Sequence, residues 1–246
     1  VAHLDRRMAD LVEKYLEEGF HNAMTTGAPA FLRTVPVQRT LKALHHVAAY
    51  EDASEILRNA KKIVVTDCIC RKQKRLVDQA CDKPLEVCFM FGSMGQYYVD
   101  RGLGREVGVD EAIRILTEAQ EDGLVTQPAT AQNPGGMCNC CGDCCGVLTS
   151  LNRHPKPAEM VFSNYFADVD QDECSGCETC LERCQMGAIK MNEGQLAEIN
   201  LDRCIGCGLC VVVCPEEAIQ LTPKPETLRR TPPANSAGQL AFMAET

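Results

Sequence analysis

An α+β protein is predicted, with a small α/β, cysteine-rich domain over residues 1–151 and a second, cysteine-built module over 161–222. Three observations carry this expectation. Stretches with helical apolar periodicity alternate with short β-type runs as far as Thr126. One pattern of four cysteines occurs twice between Asp172 and Pro215. The chain's 246 residues, 45% of them hydrophobic, suffice for one sizeable core plus a small module.

Taken in order, residues 4–18 read as an amphipathic helix, with Leu4, Met8, Leu11, Val12, Tyr15 and Leu16 on one stripe and Gly19 as its stop. A loop follows from Thr25 to Thr34, containing Gly27 and Pro29. Pro36 then opens a helix with Leu41, Leu44, Val47 and Ala48 on its apolar side. His45 and His46 lie on it and are read as surface or satisfied core histidines. Asp52 with Glu55 makes a capping-box-like start for a helix through Asn59. Ile63 to Thr66 is a short β-type run that delivers Asp67 and Cys68 to a strand end. Val87 to Phe91 is a second such run, after which Ser93 with Gln96 caps a helix to about Asp100. Asp110 opens the clearest helix, with Val109, Ala112, Ile113, Leu116 and Ala119 inside and Gly123 at its end. Gly102-Leu103-Gly104 is an ordinary loop, since no third glycine stands at dinucleotide-loop spacing. Residues 152–160 read as a linker, with Phe162, Tyr165 and Phe166 beyond it to pack the module against the first domain. The tail, 223–246, shows no amphipathic period and is expected to be extended or mobile.

The module rests on its cysteines. Cys174, Cys177, Cys180 and Cys184 read C-x2-C-x2-C-x3-C, and Cys204, Cys207, Cys210 and Cys214 repeat the pattern before Pro215. The flanks repeat too, with Met186-Gly187-Ala188-Ile189 answering Glu216-Glu217-Ala218-Ile219. This is the ligand run of [4Fe–4S] clusters: two-residue gaps let three thiolates of a tight loop converge on three irons of one cube. A disulfide scaffold fits poorly, because the spacing is that of a metal site and the total of 17 cysteines is odd. Over roughly residues 168 to 222 the chain resembles the bacterial-type two-cluster 2[4Fe–4S] ferredoxins. The resemblance implies a ferredoxin-like fold and two [4Fe–4S] clusters, one bound by Cys174, Cys177, Cys180 and Cys214, the other by Cys204, Cys207, Cys210 and Cys184. Where that family usually has Pro after the fourth cysteine, the first copy has Gln185, which restores an N–H and adds a polar side chain able to tune the nearby cluster.

The first domain holds nine further cysteines as candidate metal ligands: Cys68, Cys70, Cys81, Cys88, Cys138, Cys140, Cys141, Cys144 and Cys145. Cys138, Cys141 and Cys144 again read C-x2-C-x2-C, the three-ligand half of a cubane site. The fourth ligand would come from Cys68 or Cys70, or from neighbouring Cys140 or Cys145. Cys68 and Cys70 are expected to share one metal only where the chain turns between them. One or two further iron–sulfur clusters are expected here, with one unusual five-cysteine cluster, zinc, or buried inert thiols as alternatives. This arrangement is similar to little-characterised cysteine-rich regions fused to ferredoxin modules in anaerobes, over residues ~60–150, which implies redox company and names no substrate. Arg71-Lys72-Gln73-Lys74-Arg75 reads as a solvated helix face, or as charge that offsets an anionic cluster or docks an acidic partner. Asp143, inside the cysteine loop, is a candidate odd ligand or proton carrier.

Net charge is −9, with 17 basic against 20 acidic side chains in residues 1–150 and 8 against 14 in 151–246. Binding to nucleic acid or anionic membrane is disfavoured, and docking to a basic patch on a redox partner protein, within an oxidoreductase complex, is favoured. No apolar run approaches a membrane span, no secretory pattern opens the chain, and so many reduced cysteines imply a cytoplasmic, anaerobic setting. The expected function is electron transfer through iron–sulfur clusters, with no catalytic residue assigned. The alternative is an oxidoreductase subunit whose N-terminal cluster, held by Cys138, Cys141 and Cys144, keeps an iron open to substrate. A redox-sensing regulator is a third reading, with helices 93–100 and 110–122 and a strand at Leu124-Val125-Thr126 mimicking a winged helix. Arg114 alone would face the phosphates there, which is too little.

Overall fold

The computed structural model describes residues 4–25, 31–42, 44 and 47–244; Gly27, Pro29, His45 and His46 lie outside the described residues. Helix α1, Arg6–Tyr15, starts where the Asp5 carboxylate accepts a hydrogen bond from the Met8 amide. It does not stop at Gly19: a π-helical turn, Leu16–Phe20, runs into α2, His21–Thr25. A glycine inside a helix costs only about 1 kcal/mol, and Leu16 and Phe20, both packed near Gly146, hold the turn in place. The predicted stripe divides. Leu4, Val12 and Leu16 line an internal cavity, whereas Met8, Leu11 and Tyr15 are exposed. The helix that Pro36 was expected to open is a single turn, α3, Gln38–Leu41.

Helix α4, Ala53–Asn59, is capped as expected, with the Asp52 carboxylate accepting from the Ser54 and Glu55 amides. Strand β1, Ile63–Asp67, leads into α5, Ile69–Leu76, and β2, Glu86–Phe91, leads directly into α6, Gly92–Asp100. Ser93 does not cap α6; the chain enters it from extended Phe91 with no side-chain cap. The loop at Gly102 gives way to β3, Gly104–Glu106, and then to α7, Val109–Glu121, whose buried face is Ala112, Ile115, Leu116, Ala119 and Gln120. Ile115, one step round from the expected Ile113, takes the inner position. Strands β4, Val125–Pro128, and β5, Gly136–Cys140, complete a sheet in the order β3-β1-β2-β5-β4.

Every pairing in that sheet is antiparallel. The first domain is therefore α+β, not the α/β arrangement that alternating helices and strands imply. The cause is that α5 and the 77–85 loop stay at the end of the sheet where β1 finishes, so β2 starts there and runs back. This topology gathers the cysteines. Cys68 follows β1, Cys88 lies at the start of β2, and Cys138 and Cys140 finish β5, all at one end of the sheet. One face packs on α4 and α7 through Ile56, Leu57, Val65, Phe89, Leu116 and Met137.

Residues 152–160 hold the end of α8, Gly146–Arg153, and the whole of α9, Pro157–Met160. Beyond them β6, Tyr165–Val169, pairs with β9, Ile219–Pro223, and β7, Ile189–Met191, pairs with β8, Ala197–Ile199; α10, Thr179–Arg183, and a 3-10 turn at Val211–Val213 follow the two cysteine loops. The approximate twofold repeat of the sequence is thus a repeat of structure. Val125, Cys140, Leu148 and Leu151 share one hydrophobic core with Cys180, Met186, Ile205 and Leu209. The segment before α3 stitches the halves: the amides of Arg33 and Val35 donate to Pro128 and Thr126 of β4, and that of Val37 to the carbonyl of Cys207. Tyr165, one of the aromatics expected to pack the module inward, is buried and donates to Glu51 Oε2 at 2.7 Å. In the tail, Gln132 and Asn133 donate to the carbonyls of Pro233 and Ala234, and α11, Ser236–Ala244, closes the chain. No helix among the described residues is long and apolar enough to cross a membrane.

Candidate metal centres

Two cavities in the module are each lined by four thiols. One is bounded by Cys174, Cys177, Cys180 and Cys214, the other by Cys184, Cys204, Cys207 and Cys210. Each draws three cysteines from one run and the last from the other. Positive φ at Gly176 and Gly206 makes the tight loops, and a Cβ at either would collide with a backbone carbonyl, Gln195 O or Tyr165 O. No thiol of these two sets hydrogen-bonds another, so the four sulfurs of each stand apart around a common space. Backbone amides point at them: Ala167 N–H to Cys204 Sγ at 3.4 Å and Ala188 N–H to Cys184 Sγ at 3.2 Å.

The two cavities differ in exposure. Cys177 is exposed, and its thiol is held below the usual range first by the Thr179 hydroxyl, which donates to it. Burial instead pushes Cys204 and Cys210 upward and Cys207 up to about 12. The rim of the first cavity is acidic and exposed at Glu178 and Glu216, and exposed Asp172 and Glu173 immediately precede Cys174.

The nine N-terminal cysteines divide into six and three. Cys68, Cys88, Cys138, Cys140, Cys145 and Cys70 form a closed ring in which each thiol stands beside its two neighbours and Cys70 returns to Cys68. Alternate strand residues share a face, which aligns Cys138 with Cys140, and the chain does turn at Cys68, where α5 begins, bringing Cys70 round. The ring borders an apolar cavity of about 320 Å³ walled by Leu4, Val12, Leu16, Phe20, Phe31 and Leu32. On its far side, Cys88 and Cys138 border a second cavity of about 190 Å³ that holds the Lys72–Asp67 ion pair and Tyr98.

The remaining three, Cys81, Cys141 and Cys144, place their sulfurs within 4.8 Å of one another. Cys138, expected to join Cys141 and Cys144, stands with the ring: it lies within β5, beside Cys88 and Cys140, whereas Cys141 and Cys144 follow the end of that strand. Cys81 reaches the other two across 60 residues of chain, which spacing alone could not reveal. Asp143 is exposed and stands outside both groups.

Between the two groups lies Arg71, fully buried, with Nη1 donating to Pro84 O and Nη2 to Asn139 O, each at 2.9 Å. Burial works against its charge, but the sulfurs of Cys68, Cys141 and Cys81 hold its pKa above the ordinary arginine range. The basic run is therefore not one solvated face: Lys72 pairs with Asp67, Gln73 and Lys74 anchor α1 through Glu13, and only Arg75 is fully exposed.

Gln185, the departure from the ferredoxin pattern, ties the two parts together. Its Oε1 accepts from Gly142 N–H at 2.6 Å, its Nε2 donates to Gly123 O, and its carbonyl accepts from Asn152 Nδ2. A Cβ on Gly142 would lie 2.9 Å from that carbonyl, so the cysteine loop needs glycine there. Gln185→Pro is expected to leave iron content unchanged while destabilising the holoprotein by about 1–3 kcal/mol, since Gly142 N–H and Gly123 O lose their partner. Amide exchange at Gly142 should accelerate; an unchanged rate would refute the bridge.

Thiols gathered in fours, with amides directed at sulfur, define an iron–sulfur module of ferredoxin type at the C-terminus. Residues 167–221 match the model of the 4Fe-4S dicluster domain family. No curated protein matches the chain.

Proposed function

We propose that the protein relays electrons between redox partners through two [4Fe–4S] clusters in the module and a further iron–sulfur centre in the N-terminal domain. The observation that carries this reading is the pair of four-thiol cavities. Cys174, Cys177, Cys180 and Cys214 would hold one cluster, and Cys204, Cys207, Cys210 and Cys184 the other. Clusters so held supply one-electron transfer. The ring of Cys68, Cys70, Cys88, Cys138, Cys140 and Cys145 encloses a space and is the candidate ligand set for the third centre.

The chain's own residues give the relay a direction. Exposed Cys177 with its acidic rim suits docking of a basic partner surface, which raises the association rate more than the affinity. Cys204 and Cys210 are buried and share a core with Cys140 and Cys145, which supports an order in which the second cluster passes electrons between the outer one and the ring. Amides donated to Cys204 and Cys184 favour the reduced state of a cluster held there. Seventeen cysteines without a disulfide fit a reducing compartment such as the cytoplasm.

Iron and acid-labile sulfide per chain, measured on anaerobically purified protein together with EPR of the reduced form, test this. About twelve irons or more support three centres, whereas about eight would remove the N-terminal one. A second reading, an oxidoreductase subunit, is favoured by the 190 Å³ cavity beside Cys88 and Cys138. It requires the N-terminal EPR signal to change with an added small molecule.

A further inference from the structure

We infer that Cys81, Cys141 and Cys144 form a mononuclear zinc site, separate from any iron–sulfur cluster. Cys81 Sγ lies 3.5 Å from Cys141 Sγ and 3.6 Å from Cys144 Sγ. Tetrahedral zinc with Zn–S bonds of about 2.3 Å places its sulfurs roughly 3.8 Å apart, which is this spacing. A cubane does the opposite, because its thiolates radiate from separate corners and do not converge three at a time on one point. The same structure supplies the contrast: the module's two sets of four thiols stand apart around their cavities and the ring of six is strung along the border of another, whereas Cys81, Cys141 and Cys144 alone among the described residues close on one point.

The surroundings complete a metal site. The Cys81 N–H donates to Cys144 Sγ at 3.4 Å, an outer hydrogen bond of the kind that orients a thiolate ligand, and the buried Arg71 guanidinium places its charge beside Cys141 and Cys81. Cys141 and Cys144 are buried at 1% and 2% exposure while Cys81 is half-exposed, which leaves the fourth coordination position on the Cys81 side, toward solvent. An ion there would staple the 77–85 loop to the turn between β5 and α8. That turn contains Gly142, whose N–H meets Gln185, so the staple would also fix the contact between the domains.

The test is zinc, iron and sulfide analysis of the full chain and of Cys81→Ala, both purified anaerobically, with zinc K-edge absorption on the unaltered protein. The expectation is about one zinc per chain with a shell of three sulfurs near 2.3 Å. Cys81→Ala should lose that zinc and keep all its iron. Loss of about four irons from Cys81→Ala would show a cubane and overturn the inference, as would unchanged zinc. Should the variant fail to fold, the absorption spectrum decides alone, and a zinc shell of oxygen or nitrogen overturns it. The iron count of the unaltered protein separately decides whether the N-terminal relay centre exists, so the two readings fail independently.

Discussion

Cys210→Ala is expected to remove about four irons per chain and to unfold much of the C-terminal module. Cys210 is buried within the second four-thiol cavity, beside Leu209 and Ile205 in the shared core. Cluster binding is part of the folding free energy of so small a unit. The loss should therefore exceed the roughly 1 kcal/mol of an ordinary substitution. Cys177→Ala provides the comparison. It too should cost one cluster's iron, but Cys177 is exposed on the outer cavity, so the shared core stays covered and the thermal transition falls less. The relay reading adds a kinetic consequence: with the inner cavity emptied, a reductant acting at the acidic rim should no longer reduce the N-terminal centre. Unchanged iron in Cys210→Ala would refute the ligand assignment, and undiminished N-terminal reduction would refute the order of the relay.

What the sequence discloses here follows the range of the interactions. The module is legible because its ligands are local: three thiols within seven residues and a thirty-residue repeat already dictate two loops, and the pairing of β6 with β9 closes them. The Asp52 cap and the β1 and β2 runs are legible for the same reason. The N-terminal centre is not local. Cys81 finds Cys141 and Cys144, and Cys68 and Cys70 find Cys88 and Cys145, only because an antiparallel sheet brings one end of three strands together. Alternating helices and strands imply an α/β arrangement, and the pattern C-x2-C-x2-C at Cys138 carries no trace of Cys81, which the antiparallel sheet brings to Cys141 and Cys144. Gln185 did carry a signal, being the position that departs from the family pattern. Its Gly142 partner, 43 residues away, could not be read from spacing.

Arg71→Met should be the most damaging change outside the cysteines. The guanidinium is fully buried and is the donor to Pro84 O and Asn139 O, and Asn139 in turn donates to Val87 O. Methionine fills most of the volume but leaves the buried Asn139 carbonyl without a donor, at about 1–3 kcal/mol, while the part-buried Pro84 carbonyl loses its partner at smaller cost. It also leaves the nearby sulfurs of Cys68, Cys81 and Cys141 without a neutralising cation. A total on the order of 3–5 kcal/mol is expected, as for other buried ionic groups that lose one partner. Arg71→Lys separates the two contributions. Its ammonium keeps the charge but cannot reproduce the fork that spans both carbonyls, so its thermal midpoint should fall between those of the other two proteins. The redox readout has a definite sign. Reduction adds negative charge, which a neighbouring cation stabilises, so Arg71→Met should lower the N-terminal midpoint potential while Arg71→Lys largely preserves it. Equal thermal midpoints for all three proteins would dismiss the structural role. Equal potentials would dismiss the electrostatic one and return the basic run to a stretch that only packs α5 against α1.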